Sequence, residues 1–378
     1  MTPRDTLGAR IRDHFDWPLF ISAALIAVLG VVNLYSATSV YSGNRAELYI
    51  SQIQWLAIGG ILGGVLLAID YRHLERFGYV LYAFGVFNLI LVFAFSKDVR
   101  GSTRWIDFGS FKYQPSEFMK LFLVIALAKY LHDDPRSEGR TLKDLLIPAL
   151  IAGAPALLIL KQPDLGTASI LMLIFFTIAA LTRVHWQSAV RFVGAAVPGG
   201  YVIYNFVLLG YQKARIETFI DPERDILKTG WHAHHARVAI GDGGLLGTGF
   251  MKGTQNQFGF IPDQFTDFPF PVFAEEWGFV GCLVLICLYG FLTVWSIHIA
   301  SQAKDRFGAV LAVGSAAIIF WHAVINMGMA AGVVPVVGVT LPLFSYGGSS
   351  MLTMLAAVAL VMNVSLRRYG GVPAPERL

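Results

Sequence analysis

The stretch Phe250–Gly281, FMKGTQNQFGFIPDQFTDFPFPVFAEEWGFVG, joins a long polar loop to an apolar segment that begins near Val272. It places Asp267 at the rim between water and lipid, where an acid is costly unless it has a partner or a task. Pro269 and Pro271 follow closely, so the spacing predicts irregular backbone rather than helix around Asp267. Such backbone at membrane depth must lie against protein or a wet cavity. Glu275 and Glu276 are expected in the first turn of the next helix, where the helix dipole favours acids. Glu276 reads as structural, whereas Glu275 is left open.

Working outward, the 378 residues are 55% hydrophobic and only 14% charged, with mean hydropathy +0.59. An average soluble domain is about 25% charged, so the composition points to an all-α polytopic membrane protein. Ten windows are long and apolar enough to span a bilayer as helices: about 17–37, 50–69, 76–95, 116–132, 144–160, 165–182, 188–209, 272–299, 307–332 and 344–366. Residues 1–378 read as a single membrane domain with tails 1–16 and 367–378 and a long loop at 210–271. Lys and Arg concentrate on the side holding both tails, which predicts cytoplasmic termini and an external 210–271 loop. The net charge of +4 is spread along those rims, so it reports topology and not nucleic-acid binding. The first apolar stretch lacks a small-x-small cleavage site and is expected to be retained.

The polar loops carry the candidate chemistry. Gln114-Pro115-Ser116-Glu117-Phe118-Met119-Lys120 opens the fourth span, with proline suited to the first helical turn. Glu117 and Lys120 share a helix face, either as a helix-start acid with a snorkelling lysine or as a fixed charge pair lining a polar cavity. Arg104 and Trp105 form an interfacial anchor, or else bind an anionic head group and a sugar. Asp164 begins the sixth span and could simply cap that helix. In the long loop, Lys213–Asp221 reads as an amphipathic turn and Trp231–Ile240 as a short helix. Glycines 241, 243, 244, 247, 249 and 253 supply tight turns. An ordered cap of short helices on the membrane surface is expected.

Other patterns carry less. Trp231-His232-Ala233-His234-His235 lacks zinc-site spacing, and the glycine-rich run is not a nucleotide loop. Ser301-Gln302-Ala303-Lys304 and Lys228-Thr229-Gly230 match fragments of a transpeptidase signature, but the topology puts them on opposite sides of the membrane. Cys282 and Cys287 lie in one apolar span, and packing is their expected role.

With these residues in hand, the chain resembles the SEDS family (shape, elongation, division and sporulation). The likeness runs through Asn33-Leu34-Tyr35-Ser36-Ala37, GSTRWI at 101–106, QPSEFMK at 114–120, QPDLGTA at 162–168 and DPERD at 221–225. It continues through AIGDGGLLGTGFMKGTQ at 239–255, TDF at 266–268, AEEWGFVG at 274–281 and LPLFSYGGSS at 341–350. The GTQ and DPERD segments favour the elongation branch over the division branch. The resemblance implies a ten-span peptidoglycan glycosyltransferase of the bacterial cytoplasmic membrane that polymerises lipid II on its outer side for cell-wall elongation and rod shape. It implies a class B penicillin-binding protein (a PBP2-like transpeptidase) as partner within the elongation machinery. The family's catalytic aspartate falls on Asp267, and its other important positions fall on Trp105, Glu117, Lys120 and Asp164. Divalent cation dependence, as Mg²⁺ or Mn²⁺, is associated with the family, although no clear ligand set stands out here. The chain departs from the family pattern at Asp263-Gln264, at Phe265, where histidine is common, and at Pro269, where isoleucine is common.

In that chemistry a sugar C4 hydroxyl attacks an anomeric carbon with inversion, so a base must take the proton and cations must face the departing diphosphate. Asp267 is the candidate base, and Lys120, Arg104 and Arg237 are the candidate cations. Two other classes fit the same charges: a lipid II flippase or other transporter, in which Glu117, Lys120 and Asp164 line a pathway, and a non-catalytic scaffold for a transpeptidase.

Overall fold

The computed structural model describes residues 13–95, 104–107, 109, 112–134, 140–182, 184–208, 210–221, 230–261 and 263–368. Gly101, Ser102 and Thr103 of the GSTRWI segment, 222–225 of the DPERD segment, Lys228-Thr229 and most of both tails lie outside them. Ten helices correspond to the ten apolar windows. They are α1 (Trp17–Thr38), α2 (Leu48–Ala68), α3 (Tyr71–Phe95), α4 (Pro115–Asp133), α5 (Leu146–Lys161), α6 (Leu165–Ala180), α7 (Trp186–Val202, continued by a π turn at Ile203–Val207), α11 (Pro269–Ser301), α12 (Arg306–Ala331) and α13 (Gly348–Arg367). Among the described residues, three shorter helices lie between α7 and α11: α8 (Gly210–Ile220), α9 (Trp231–Asp242) and α10 (Thr254–Gln257). They form the ordered cap, and α9 packs on both α11 and α12.

Six of the helices are long and apolar enough to cross a membrane: α1, α2, α3, α11, α12 and α13. The apolar α5 and α6 are shorter, at 16 residues each. A hydropathy window does not see α4 as strongly, because Glu117, Lys120, Lys129 and Asp133 sit on it. Those charges find partners inside the bundle or along its rim. The centre is α12, flanked by α4, α6, α11 and α13. Small residues let the backbones approach: a Cβ on Gly314 would stand 2.5 Å from the Val124 side chain. Helices α2 and α3 lie outside this core, and their exposed Ile, Val and Phe side chains suit a lipid environment.

Side-chain caps set several helix starts. Asp16, Asp164 and Asp305 accept from the backbone N–H of Leu19, Thr167 and Gly308 at 3.3, 3.0 and 2.7 Å. Helix α12 ends on Gly332, whose φ of 75° is the left-handed geometry that glycine tolerates. The loop before α4 folds into an antiparallel ribbon, β1 (Ile106–Asp107) and β2 (Lys112–Tyr113), which hydropathy and motif reading did not anticipate.

Two expectations need correction. Pro269 and Pro271 do not bar a helix; both occupy the first turn of α11, where the missing N–H groups have no intrahelical partners anyway. Helix α11 consequently starts three residues earlier than Val272. Glu275 and Glu276 therefore lie beyond the first turn: Glu275 accepts from Thr254 Oγ1 and Gln255 N–H of the cap at 3.1 and 2.9 Å, and Glu276 accepts from Ser36 Oγ of α1.

Candidate active site

Asp267 sits in the turn 263–268, immediately before α11. The Asp263 carbonyl gathers three backbone N–H groups, from Thr266, Asp267 and Phe268, at 3.1, 3.0 and 3.2 Å. That three-way bond closes the turn and fixes the Asp267 backbone. Four distant elements then hold the turn in place. Tyr346 N–H donates to the Phe265 carbonyl at 2.8 Å. The buried Gln264 donates to the Ala37 carbonyl of α1 at 2.7 Å. From α12, Asn326 Nδ2 donates to the Asp267 carbonyl at 2.9 Å and to the Val339 carbonyl at 2.6 Å. The fourth is the 333–341 segment itself, where a Cβ on Gly338 would stand 3.2 Å from Asp267 Oδ2.

The carboxylate keeps some solvent contact, yet protein encloses it closely. Burial pushes its pKa up to about 6; the Asp263 carboxylate adds to the rise, and Arg215, Arg104 and the Thr266 hydroxyl oppose it. A carboxyl in this range is a stronger base than an ordinary aspartate and is still ionised at neutral pH.

The other candidates divide into two groups. Arg104 bonds the α5–α6 corner, donating to the carbonyls of Gln162 (3.3 Å) and Pro163, and its guanidinium lies 3.8 Å from Asp164 Oδ1. Asp164 caps α6 as expected and also accepts from Thr167 Oγ1 at 2.9 Å. Trp105 is half-buried beside Arg104 at the start of β1. Gly166 of the same corner touches the 337–339 segment, where a Cβ would stand 2.8 Å from the Val337 carbonyl oxygen. The corner is therefore contiguous with the segment that abuts Asp267.

Glu117 and Lys120 make the second group. Lys120 Nζ lies 2.9 Å from Glu117 Oε1 and 2.7 Å from His322 Nε2. The ammonium has no lone pair to offer, so His322 Nε2 must accept and its Nδ1–H donates to the Thr340 carbonyl at 3.1 Å. Lys120 is completely buried, so it does not snorkel; it closes a polar lock between α4, α12 and the 333–341 segment. His322 and Asn326 stand four apart on one face of α12 and bond neighbouring residues of that segment, Thr340 and Val339. In this way the lock extends to Asp267.

Arg237 lies apart from Asp267's immediate surroundings. It packs across Gly332 at the C-terminus of α12, a position that favours a cation. With Arg215 it lines a cleft walled by Phe219, Met329, Val334 and Val336.

Sequence reading missed Arg215, His322 and Asn326. The last two were findable, since polar side chains spaced four apart in an otherwise apolar span mark one working face. Arg215 had no such signal, because nothing in a loop sequence says which way it turns. Among the described residues no group of three or more His, Cys, Asp or Glu could hold a metal ion. Asp267 and Asp263 alone do not fit a divalent cation.

The chain matches the FtsW/RodA/SpoVE family model, described as cell cycle protein, over residues 16–370. It is 35% identical over 353 residues to the peptidoglycan glycosyltransferase MrdB of Escherichia coli K12, covering 92% of this chain and 94% of that one. It is 31% identical to the peptidoglycan glycosyltransferase RodA of Treponema pallidum, covering 95% and 100%. Among solved structures, it resembles a chain reported under "Structural coordination of polymerization and crosslinking by a peptidoglycan synthase complex", with TM-score 0.80, 32% identity and coverage of 94% and 99%. The rod shape determining protein RodA of Thermus thermophilus gives TM-score 0.69 at 30% identity, covering 94% and 98%. Matched along almost its whole length in both sequence and fold, the chain belongs to the FtsW/RodA/SpoVE family.

Proposed function

We propose that this family member is a peptidoglycan glycosyltransferase of the elongation branch, polymerising lipid II into glycan strands with Asp267 as general base. The observation that carries the reading is a carboxylate poised near pH 6, on a turn clamped from four sides and facing the fields of Arg104 and Arg215. The raised pKa does not serve stability at neutral pH, since burying a carboxylate beside a second acid costs free energy.

In the reaction the acceptor's C4 hydroxyl oxygen forms a bond to the donor's anomeric carbon while the bond from that carbon to the diphosphate oxygen breaks. The hydroxyl proton passes to Asp267, and undecaprenyl diphosphate leaves with its bonding electron pair. Arg104 and Arg215 face that developing charge, and Arg237 stands farther along the cleft. Lys120 is enclosed in this state; with Glu117 and His322 it holds the 333–341 segment that shapes the carboxylate's surroundings. Trp105 and Asp164 keep the opposite wall, at the α5–α6 corner. We place this site on the external side of the bacterial cytoplasmic membrane, with both termini inside. The charge asymmetry of the loops supports that orientation.

A class B penicillin-binding transpeptidase is the proposed partner, supported by the likeness to a chain of a peptidoglycan synthase complex. The reading is tested by supplying fluorescent lipid II to the purified chain, alone and with a cognate transpeptidase. Muramidase-sensitive polymer is expected. Intact lipid II in both reactions, with the lipid merely moved across proteoliposome membranes, would favour the transporter reading instead.

A further inference from the structure

Helix α11 is interrupted at Gly278, whose φ of 65° and ψ of −165° are not helical. A continuous helix would pair Phe279 and Val280 N–H with the carbonyls of Glu275 and Glu276. All four groups are instead paired with the loop 243–249. Phe279 and Val280 donate to the Gly244 and Leu245 carbonyls at 2.9 and 3.1 Å. The Glu275 carbonyl accepts from Thr248 N–H at 2.9 Å, and that of Glu276 accepts from Gly249 N–H at 3.1 Å. The loop thus stands in for the missing helical bonds, and the break in turn pairs the loop's Thr248 and Gly249 N–H groups and its Gly244 and Leu245 carbonyls. Glycine makes the contact possible: a Cβ at Gly243, Gly247 or Gly278 would lie 2.1, 2.1 or 2.3 Å from backbone atoms opposite.

At its tip this loop carries Leu245 and Leu246, 66% and 75% exposed. Their neighbours on α11 are Phe279 and Val280, which begin the outward apolar face that continues through Leu283 and Val284. At 33 residues, α11 is roughly 50 Å long, against a hydrocarbon layer of about 30 Å. Its membrane crossing therefore need not start until about where the break lies. Backbone freed from a helix at membrane depth must find other partners, and the four groups freed at this break all do. We infer that Gly243–Gly249 is a re-entrant hairpin whose Leu245-Leu246 tip is immersed among the acyl chains of the leaflet on the cap side. Its partner is the bilayer itself, and its consequence is to pin α11, and with it Asp267, at a fixed height above the hydrocarbon.

The test is a nitroxide attached at Leu246→Cys in a Cys282→Ala, Cys287→Ser background, with the full chain reconstituted in phosphatidylethanolamine–phosphatidylglycerol vesicles. Collision rates with oxygen and with a water-soluble nickel chelate are compared with labels at Val284→Cys on the apolar face and Gln257→Cys on the cap. The oxygen-to-nickel ratio at Leu246 is expected within about twofold of Val284 and at least tenfold above Gln257. A ratio like that of Gln257 would put the tip in water and overturn the inference. Shielding from both reagents would overturn it too, by showing that protein covers the tip. A label at Leu245→Cys must give the same ordering.

Discussion

A single side-chain amide, Asn326 Nδ2, bonds both the Asp267 carbonyl and the Val339 carbonyl, at 2.9 and 2.6 Å. The turn that carries the candidate base and the segment that walls it are therefore fastened to one point on α12. Asn326→Leu keeps the volume and removes both donors. Leaving two enclosed carbonyls unpaired should cost about 2–4 kcal/mol of stability. Because a small displacement of a base costs rate more than binding, kcat should fall at least about tenfold with little change in KM for lipid II. Steady-state polymerisation and thermal unfolding check both halves.

Asp263→Asn should lower the pKa of Asp267, since the Asp263 carboxylate contributes to its rise to about 6. The turn itself should persist, because it is the Asp263 carbonyl that holds it and asparagine tolerates its positive φ of 48°. The acid limb of the pH–rate profile is then expected below that of the parent enzyme. The same shift governs stability in the parent. An acid whose folded pKa is raised from about 4 to about 6 binds more protons folded than unfolded between those values. Its contribution to stability is thus present at low pH and lost as pH rises through about 6.

Arg215→Ala removes an opposing charge and should move the acid limb the other way, to higher pH, because Arg215 holds the Asp267 pKa down. If the arginine also faces the diphosphate, the rate at saturating pH should drop by about 10²-fold, as when one electrostatic donor is lost. A shifted limb with an unchanged plateau would leave it only the first role.

The fold was largely legible because ten apolar windows are a strong signal: each lipid-exposed or core helix must be apolar along its length. The Pro115 start of α4 and the Asp164 cap of α6 were equally readable, since local chemistry alone decides them. What the sequence concealed was pairing at a distance. The sequence left Lys120 either snorkelling or held in a fixed charge pair, and only the contact with His322, 202 positions away, decides for the enclosed pair. Pro269 and Pro271 read as a barrier only because the helix start was sought too late. The break at Gly278 was invisible, for it depends on a glycine loop that supplies the missing bonds.

Lys120→Met should destabilise the protein by about 3–5 kcal/mol, because it leaves Glu117 buried without its partner. The double variant Glu117→Leu with Lys120→Met should regain much of that loss. Thermal unfolding in nanodiscs reads the difference. Unchanged stability with lost activity would instead make Lys120 a direct substrate contact.

The most direct measurement is polymerisation of fluorescent lipid II by Asp267→Asn, purified beside the parent chain and matched to it in unfolding temperature and in lipid II binding. The amide preserves shape but cannot take the hydroxyl proton, so substrate should bind while strand synthesis falls by at least about 10³-fold. Strands made at the parental rate by that folded variant would contradict the assignment of Asp267 as the base.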